Sequence, residues 1–219
     1  YAGHSNVWKS TNRGSNWRKM SNFTGSQGVN CIVAAPSDPN VIYACTSYQI
    51  YRTIDGGGTW TRIITDPSEI SYIAVSHDDP MKFWFTYYSF NSDKKVKYFD
   101  GQQTVNLSGN LPNVPVNTIV VQKDSPDILY IGTDIGVFTS GNNSGEWESY
   151  GSGLPNVIVN ELEIQYEAGK LRAATYGMGL WEADLLFESG IDDKQSEGCF
   201  INVNPNPFDQ FAIINYELR

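Results

Sequence analysis

A short segment containing a single turn recurs along this chain, and its recurrence narrows the folds that the chain can adopt. The clearest copy runs from Ile50 to Ile64, where two alternating runs flank the turn Asp55-Gly56-Gly57-Gly58. A glycine-rich turn between β-branched and aromatic residues predicts a β-hairpin. The hairpin is therefore the unit whose copies define the architecture.

Tryptophan residues near the ends of the copies set the period of the repeat. Trp17 and Trp60 are 43 positions apart, and Trp147 follows after a further 87 positions. The longer spacing corresponds to two steps with one degraded copy, Val96 to Thr104, between them. A period of about 40 to 45 residues with several short strands per unit is typical of a β-propeller blade.

Each unit also repeats the residues that open it. The four openings are Asn30-Cys31-Ile32-Val33, Ser71-Tyr72-Ile73-Ala74, Asn117-Thr118-Ile119-Val120 and Asn160-Glu161-Leu162-Glu163. Turns rich in Asp and Pro follow the first three openings, and a second strand comes next. The units alternate with period two and lack the 3.6-residue periodicity of helical repeats. The sequence predicts an all-β fold, a fragment of a β-propeller built from four-stranded blades.

Two copies of the hairpin resemble the Asp-box, or BNR repeat, of sialidases, xyloglucanase-type hydrolases, sortilin and related propellers. The matching positions are Ser10, Asn12, Gly14 and Trp17 in the first copy, Thr53, Asp55, Gly57 and Trp60 in the second, and Trp147 in a third copy that has Ser144 at its glycine position. With the blade period, the resemblance covers residues 1–186. It implies that the box lies on the outer rim, so that Asp55, Asn12 and Asp100 organise their own turns and are not catalytic.

The first and last units of the repeat each show fewer than four strands. The first strands that the pattern shows, around Val7 and Trp17, correspond to the third and fourth strands of a blade. The last unit, Asn160 to Leu185, offers three strands. We therefore expect more propeller upstream of Tyr1.

The negative charge of the chain argues against nucleic acid as a partner. The formal net charge is −9 and the pI is about 4.6, whereas binding to nucleic acid requires clustered Lys and Arg. The densest basic run, Lys94-Lys95-Val96-Lys97, is short and is interpreted as a solvated hairpin edge. No apolar stretch is long enough to span a bilayer, and no spacing indicates a metal site or a cofactor.

Three cysteines allow two interpretations. Pairing Ala35 with Val41 across the intervening turn places Cys31 directly opposite Cys45, so a cross-strand disulfide is geometrically possible. The alternative, which we favour, is a pair of buried thiols acting as small hydrophobic side chains. Cys199 has no evident mate.

After residue 186 the repeat stops and a different pattern begins. Residues 187–198 are polar, acidic and without periodicity, which indicates a linker. Residues 199–219 resemble the start of the type A C-terminal sorting domain of the Bacteroidetes type IX secretion system, with the first hairpin of another small β-sandwich module as the alternative. The residues that carry the resemblance are Asn204, Pro205, Asn206, Pro207, Phe208, Asn215, Tyr216 and Leu218. This resemblance implies contact with the type IX machinery through the C-terminal region.

Hydrolysis of a glycosidic bond would require two carboxyl groups about 5–9.5 Å apart. The candidates are Asp134 and Asp93, because both lie in connections between the second and third strands of a unit. Asp78 and Asp79 lie in a connection of the opposite kind and should emerge at the other end of the blade. Aromatic residues that could stack on sugar rings are Tyr48, Trp84, Tyr87, Tyr88, Tyr176 and Trp181.

These observations favour a secreted or cell-surface propeller, exported through the periplasm and outer membrane, that acts as a binding, adhesion or glycan-recognition module. The ligand would be a glycan or a protein. The alternative is a glycoside hydrolase of the xyloglucanase type whose second acid lies in upstream blades. The residues of this chain lean away from an enzyme, because they supply no second acid in the register of Asp134.

Overall fold

The computed structural model describes residues 1–23, 28–125 and 127–186, together with the backbone of two later strands. None of these residues is helical, and the all-β prediction is confirmed. The strands are β1 (Ala2–Gly3), β2 (Val7–Lys9), β3 (Arg18–Lys19), β4 (Cys31–Ala34), β5 (Ile42–Cys45), β6 (Gln49–Thr53), β7 (Thr61–Thr65), β8 (Ile70–Val75), β9 (Phe83–Tyr87), β10 (Val96–Phe99), β11 (Thr104–Asn106), β12 (Val116–Val121), β13 (Leu129–Thr133), β14 (Gly136–Ser140), β15 (Glu148–Tyr150), β16 (Val159–Gln165), β17 (Lys170–Thr175), β18 (Gly179–Asp184), β19 (Phe200–Asn204) and β20 (Ile213–Glu217).

Consecutive strands form antiparallel sheets in sequence order. The first sheet holds β1–β3, the second β4–β7, the third β8–β11, the fourth β12–β15 and the fifth β16–β18. Three sheets therefore have the four strands expected of a unit. The first sheet differs from the sequence interpretation, because Ala2 and Gly3 pair with Trp8 and Val7 and add a short strand ahead of the two that were predicted. A strand of two residues is too short to show an alternating pattern.

Neighbouring sheets pack against each other, so the second strand of each complete sheet is covered on both faces. Every residue of β5, β9 and β13 is buried. Their sequences are accordingly almost continuously apolar, because no face is left for polar residues. One apolar core joins the second and third sheets, where Tyr43 contacts Phe83, and further cores join the third to the fourth and the fourth to the fifth.

The Asp55 side chain organises its own turn through hydrogen bonds. Its carboxylate accepts the Thr59 backbone N–H at 2.9 Å, the Thr59 hydroxyl at 2.8 Å and the Thr53 hydroxyl at 2.7 Å. Thr53 in turn accepts the Gly57 N–H at 2.9 Å. The Thr59 N–H, followed by the Thr53 hydroxyl, lowers the pKa of Asp55 to about 2 from 3.8.

The related turns show parts of the same arrangement. Asn12 accepts the Ser10 hydroxyl at 3.1 Å and the Asn16 N–H at 2.8 Å, and Ser10 accepts the Gly14 N–H at 2.7 Å. Asp100 accepts two backbone N–H groups of its own turn. These side chains hold the backbone at the hairpin tips, which fits the structural role that the resemblance implies.

The tryptophans that mark the repeat join neighbouring sheets. Trp60 donates its indole N–H to the carbonyl of Met20 at 2.8 Å, and Trp147 donates to the carbonyl of Leu107 at 2.7 Å. In both pairs the acceptor lies 40 residues upstream, directly after the last strand of the preceding sheet. Trp17, in the first sheet, is 46% exposed. The period in the sequence thus corresponds to a repeated contact between sheets.

Replacing Thr53 with valine should lower the free energy of unfolding by about 1–3 kcal/mol. Thr53 is buried, and the change removes a donor to Asp55 and an acceptor for Gly57 without altering the shape of the side chain. Chemical denaturation monitored by tryptophan fluorescence would measure the loss. Thr61→Val, on the exposed face of β7, is the matched control and should change stability by less than about 0.5 kcal/mol. Equal effects of the two substitutions would contradict the role of Thr53 in the turn.

The cysteine pair lies in the register that the sequence predicts. Cys31 is opposite Cys45, and the Ala35 N–H donates to the carbonyl of Val41 at 2.9 Å. Both cysteines are buried free thiols, as favoured over the disulfide. The hydrogen bond with Cys31, together with burial, raises the pKa of the Cys45 thiol. Cys199 lies outside the described residues.

Residues 187–219 form a separate unit. Its β19 and β20 pair antiparallel, with Phe200 opposite Glu217 and Asn204 opposite Ile213. The predicted linker and the Pro205-Asn206-Pro207-Phe208 segment lie outside the described residues, as does Leu218. The sorting-domain interpretation therefore stays a prediction. A search of the described residues finds no helix long and apolar enough to cross a membrane.

Candidate ligand-binding site

The first strands of the third, fourth and fifth sheets, β8, β12 and β16, are adjacent. Near its start, each of them pairs irregularly with the second strand of its own sheet. In β12, Val116 pairs with Thr133 but Thr118 pairs with Gly132, so that Asn117 is an extra residue. The register of β16 shifts at the corresponding point, and that of β8 shifts near its start. Such β-bulges redirect side chains and are common beside binding sites. The residues that open each unit in the sequence therefore converge at one end of these sheets.

The first residue of two openings links one sheet to the next. The Ser71 hydroxyl donates to the carbonyl of Val116 at 2.5 Å. The Asn117 amide donates to the carbonyl of Val159 at 3.2 Å and to the carboxylate of Asp134 at 3.0 Å. Asp134 is thereby tied to the starts of β12 and β16.

The second residues of the openings that begin at Ser71, Asn117 and Asn160 form a polar row across three sheets. Tyr72 donates its hydroxyl to Glu161 Oε1 at 2.8 Å, and Thr118 donates to the same oxygen at 3.5 Å. Burial, with the negative charge of Glu161 among the further causes, raises the pKa of Tyr72 above its usual value of 10. Tyr72 therefore remains a protonated donor at neutral pH, and Glu161 stays exposed on its other side.

The structure places the two predicted acids differently. Asp134 is half-buried in the β13–β14 turn, whereas Asp93 is exposed in the β9–β10 connection, where its N–H donates to Asn91 at 2.9 Å. No hydrogen bond within the described ranges joins Asp134 to Asp93. A third acid, Glu161, is linked to Thr118, the neighbour of the Asn117 that holds Asp134. Sequence reasoning missed Glu161 because it sought acids in turns, although the repeated opening at residue 160 marked the position.

Exposed aromatic residues lie on the connections between second and third strands, at the end where the first strands begin. Tyr48, Tyr88 and Tyr176 are 39%, 52% and 72% exposed. The Tyr88 N–H donates to the carbonyl of Glu69 at 2.9 Å, and the Tyr176 N–H donates to that of Ile158 at 2.8 Å, which places both connections beside the strand starts. The aromatic set from the sequence thus divides: Trp84 and Tyr87 are buried in cores, Trp181 is half-buried, and three tyrosines remain free to contact a ligand.

The buried carboxylate of Asp66 binds Lys94, which lies in the β9–β10 connection that also carries Tyr88. Asp66 accepts Lys94 Nζ at 2.7 and 2.9 Å, the Tyr87 hydroxyl at 2.8 Å and the Ser68 N–H at 2.9 Å, while Lys97 Nζ lies 3.5 Å away. Burial by itself would raise the pKa of Asp66, but the Lys94 ammonium and the other donors outweigh it and hold the pKa at about 2.

Lys95 is fully buried, which corrects the interpretation of residues 94–97 as a solvated edge. Its ammonium donates to the carbonyl of Ser89 at 2.6 Å and to that of Val114 at 2.9 Å. Burial lowers the pKa of Lys95. Lys95 therefore fixes the connection that carries Tyr88 against the segment leading into β12. These two hydrogen bonds hold the backbone of both segments in place.

No group of three or more His, Cys, Asp or Glu side chains suited to a metal ion occurs in the part of the chain that the structure describes. The groups at this end include the Asp134 and Glu161 carboxylates, the Tyr72 hydroxyl and the exposed tyrosine rings. Such a combination of apolar rings with a few fixed polar groups is typical of a binding site for a small or chain-like ligand.

No protein-family model matches the sequence, and no curated protein sequence matches it either. Several solved structures are similar to the chain. An ancestral GH74 enzyme has a TM-score of 0.57 at 20% identity over 78% of this chain and 24% of its own. The GH74 xyloglucanase from Xanthomonas campestris has a TM-score of 0.56 at 12% identity over 70% of this chain and 29% of its own. The extracellular domain of a one-component system from B. thetaiotaomicron has a TM-score of 0.59 at 18% identity over 78% of this chain and 23% of its own.

The fold is that of a β-propeller. This confirms the architecture predicted from the repeat, with the sheets as its blades. The chain spans less than a third of each of these three structures. At such low identity the likeness concerns the fold alone, so the function has to be argued from the residues of this chain.

Proposed function

We propose that this chain belongs to a secreted or cell-surface propeller that recognises glycans at the end carrying Asp134 and Glu161. The observation that supports the proposal is the presence of three exposed tyrosines, Tyr48, Tyr88 and Tyr176, at the end where Tyr72 and Glu161 form a hydrogen-bonded polar row. Aromatic rings present flat apolar surface, and carboxylates accept hydroxyl groups, which together match the two faces of a sugar ring. The GH74 xyloglucanase and the extracellular sensor domain among the similar structures are consistent with a glycan-related propeller outside the cytoplasm.

Affinity electrophoresis of the full chain in gels containing xyloglucan or other β-glucans tests this proposal. We expect retardation by at least one of these glycans, and a Tyr48→Ala/Tyr176→Ala variant should weaken binding about tenfold. Trp17→Ala removes another exposed aromatic ring, 46% exposed and away from this end, and serves as the control, with binding unchanged. Retardation that survives the tyrosine double variant would contradict the proposed location.

A second candidate function is glycoside hydrolysis. It is favoured by the position of Asp134 and Glu161, whose carboxylates are bonded by the adjacent residues Asn117 and Thr118. Two carboxyl groups at one cleft are what a glycosidase needs. Release of reducing sugar from β-glucans, with loss of activity in Asp134→Asn and Glu161→Gln, would establish the enzyme and exclude a purely binding role.

Export through the type IX system is the third part of the proposal, and it rests on the sequence of residues 199–219. The C-terminal region would engage the secretion machinery and carry the propeller across the outer membrane. Removing the chain from Cys199 onward should leave the protein in the periplasm, as measured by cell fractionation. Unchanged secretion of the shortened protein would refute this route.

A further inference from the structure

A groove lies between the first and second sheets, on the outer rim where their last strands run. We call it the rim groove; it has a volume of about 800 Å³, and its lining includes Arg18, Lys19, Phe23, Tyr51, Trp60 and Arg62. Arg18 and Lys19 form β3, and Arg62 lies on β7 opposite Tyr51. The rim groove is therefore built by strands of two different blades and is separate from the end that carries Asp134.

Contacts between the two sheets hold the walls of the rim groove in place. The Trp60 indole N–H donates to the carbonyl of Met20, and the rings of Phe23 and Tyr51 stack with centroids 4.0 Å apart. The Phe23 N–H is itself fixed by Asn6 at 2.8 Å. Arg18 uses one N–H to contact the Met20 sulfur at 3.3 Å, which orients the guanidinium while leaving its other donors available.

The cations of the rim groove have no carboxylate partners among the residues that the structure describes. Arg18, Lys19 and Arg62 are all exposed, and none lies within 4.0 Å of an Asp or Glu oxygen. Among the other described cations, Lys82, Lys94, Lys97, Lys170 and Arg172 each form an ion pair with a carboxylate, and Lys9, Arg13, Arg52, Lys95 and Lys123 do not.

The sequence segregates charge in the same way. Residues 1–65 hold six Lys and Arg against two Asp, a formal charge of +4, in a chain whose net charge is −9. Both of these aspartates are engaged in their own turns, Asp38 with the Asn40 N–H and Asp55 with Thr53 and Thr59. The part of the chain that builds the rim groove therefore carries more cations than carboxylates, although the whole chain is acidic.

We infer that the rim groove binds an anionic polysaccharide through its sulfate or carboxylate groups. Arginine forks match the geometry of both groups and form charge-assisted hydrogen bonds with them. Phe23 and Trp60 are only half-buried, so part of each ring offers apolar surface to the sugar rings between the charges. The open groove also suits a polymer that passes through it. This ligand is distinct from the glycan proposed for the Asp134 end, and the two proposals stand or fall separately.

Binding of the full chain to heparin, as a sulfated probe, and to polygalacturonate, as a uronate probe, tests this inference by isothermal titration calorimetry. We expect binding to at least one of them, none to neutral dextran, and weaker binding at higher salt because the contacts are exposed charges. The probe that binds identifies which anionic group the groove accepts. An absence of binding to both probes at low salt would overturn the inference.

Paired variants locate the binding. Arg18→Gln/Arg62→Gln should weaken affinity at least about tenfold, because each lost charge-assisted hydrogen bond contributes appreciably. The control Lys170→Gln/Arg172→Gln removes the same charge from the fifth sheet, where both residues already have partners, and should change affinity less than about twofold. Lys19→Gln supplies an independent, single-charge test if the double variant is unstable.

Three further outcomes would also overturn the inference. The first is an equal loss in the control variant, which would indicate a response to total charge. The second is equally tight binding of polyglutamate or of single-stranded oligothymidine, which would indicate a preference for any polyanion. The third is loss of binding in Tyr48→Ala/Tyr176→Ala with no change in Arg18→Gln/Arg62→Gln, which would move the ligand to the Asp134 end.

Discussion

Replacing Trp147 with alanine is expected to lower the free energy of unfolding by about 3–5 kcal/mol. Trp147 is 4% exposed, belongs to the core between the third and fourth sheets, and donates its indole N–H to the carbonyl of Leu107 at 2.7 Å. The substitution leaves a large cavity and a buried carbonyl without its donor. Urea denaturation monitored by far-UV circular dichroism would measure the loss.

The repeat itself supplies the control for this experiment. Trp17 holds the same position in the first copy of the hairpin but is 46% exposed, so Trp17→Ala should cost less than about 1 kcal/mol. Trp147→Phe keeps an apolar ring but removes the N–H donor and leaves a smaller cavity, so we expect a loss between those of Trp17→Ala and Trp147→Ala. A large effect at Trp17 together with a small one at Trp147 would contradict the role assigned to the contact between sheets.

Replacing Asp66 with asparagine should destabilise the protein by about 2–4 kcal/mol at neutral pH. The Asp66 side chain is 10% exposed and neutralises Lys94, while Tyr87 donates to the same carboxylate. Asparagine keeps the shape but leaves the ammonium without a counter-charge in a poorly solvated position. Asp184→Asn breaks the ion pair with Lys170, in which the aspartate is 81% exposed, and should change stability by less than about 1 kcal/mol.

The same carboxylate predicts a pH dependence of stability. The pKa of Asp66 is about 2 in the folded protein and 3.8 in its ordinary state. A group whose pKa is depressed by folding stabilises the folded state above its unfolded pKa, and this contribution, about 2 kcal/mol here, disappears as the pH falls toward 2. The difference in stability between the wild type and Asp66→Asn should therefore shrink between pH 4 and pH 2. A difference that stays constant over this range would show that the Asp66 charge does not stabilise the fold.

Much of the fold could be predicted from the sequence because a hairpin is a local structure. The turn residues around Asp55, the alternation on either side of them and the spacing of the tryptophans all report on neighbours within one unit. The pairing of Cys31 with Cys45 was predictable for the same reason, since the length of the turn between two strands sets their register. The strand at Ala2–Gly3 was not predicted because its two residues are too few to show alternation.

The candidate binding site was less predictable, because its residues come from different units. Asp134 was identified from its turn, but its contact with Asn117 and the bond between Tyr72 and Glu161 join residues 17 and 89 positions apart. The bond between Tyr72 and Glu161 depends on how the sheets are packed, whereas the contact between Asn117 and Asp134 lies within the fourth sheet. The sequence contains no local mark of either. The rim groove likewise needs two sheets, with Arg18 on one and Arg62 on the other.

The sequence by itself determined the four-stranded unit, its period and the turns that hold it, since these follow from alternation, glycine and tryptophan within about 40 residues. Only the tertiary structure decided which polar residues are buried and which side chains meet. Lys95 shows the reason. In the sequence it is one of three lysines in a polar run, but the packing of two connections places its ammonium between the carbonyls of Ser89 and Val114. Burial depends on what packs over a residue, and in this fold the covering segments come from elsewhere in the chain.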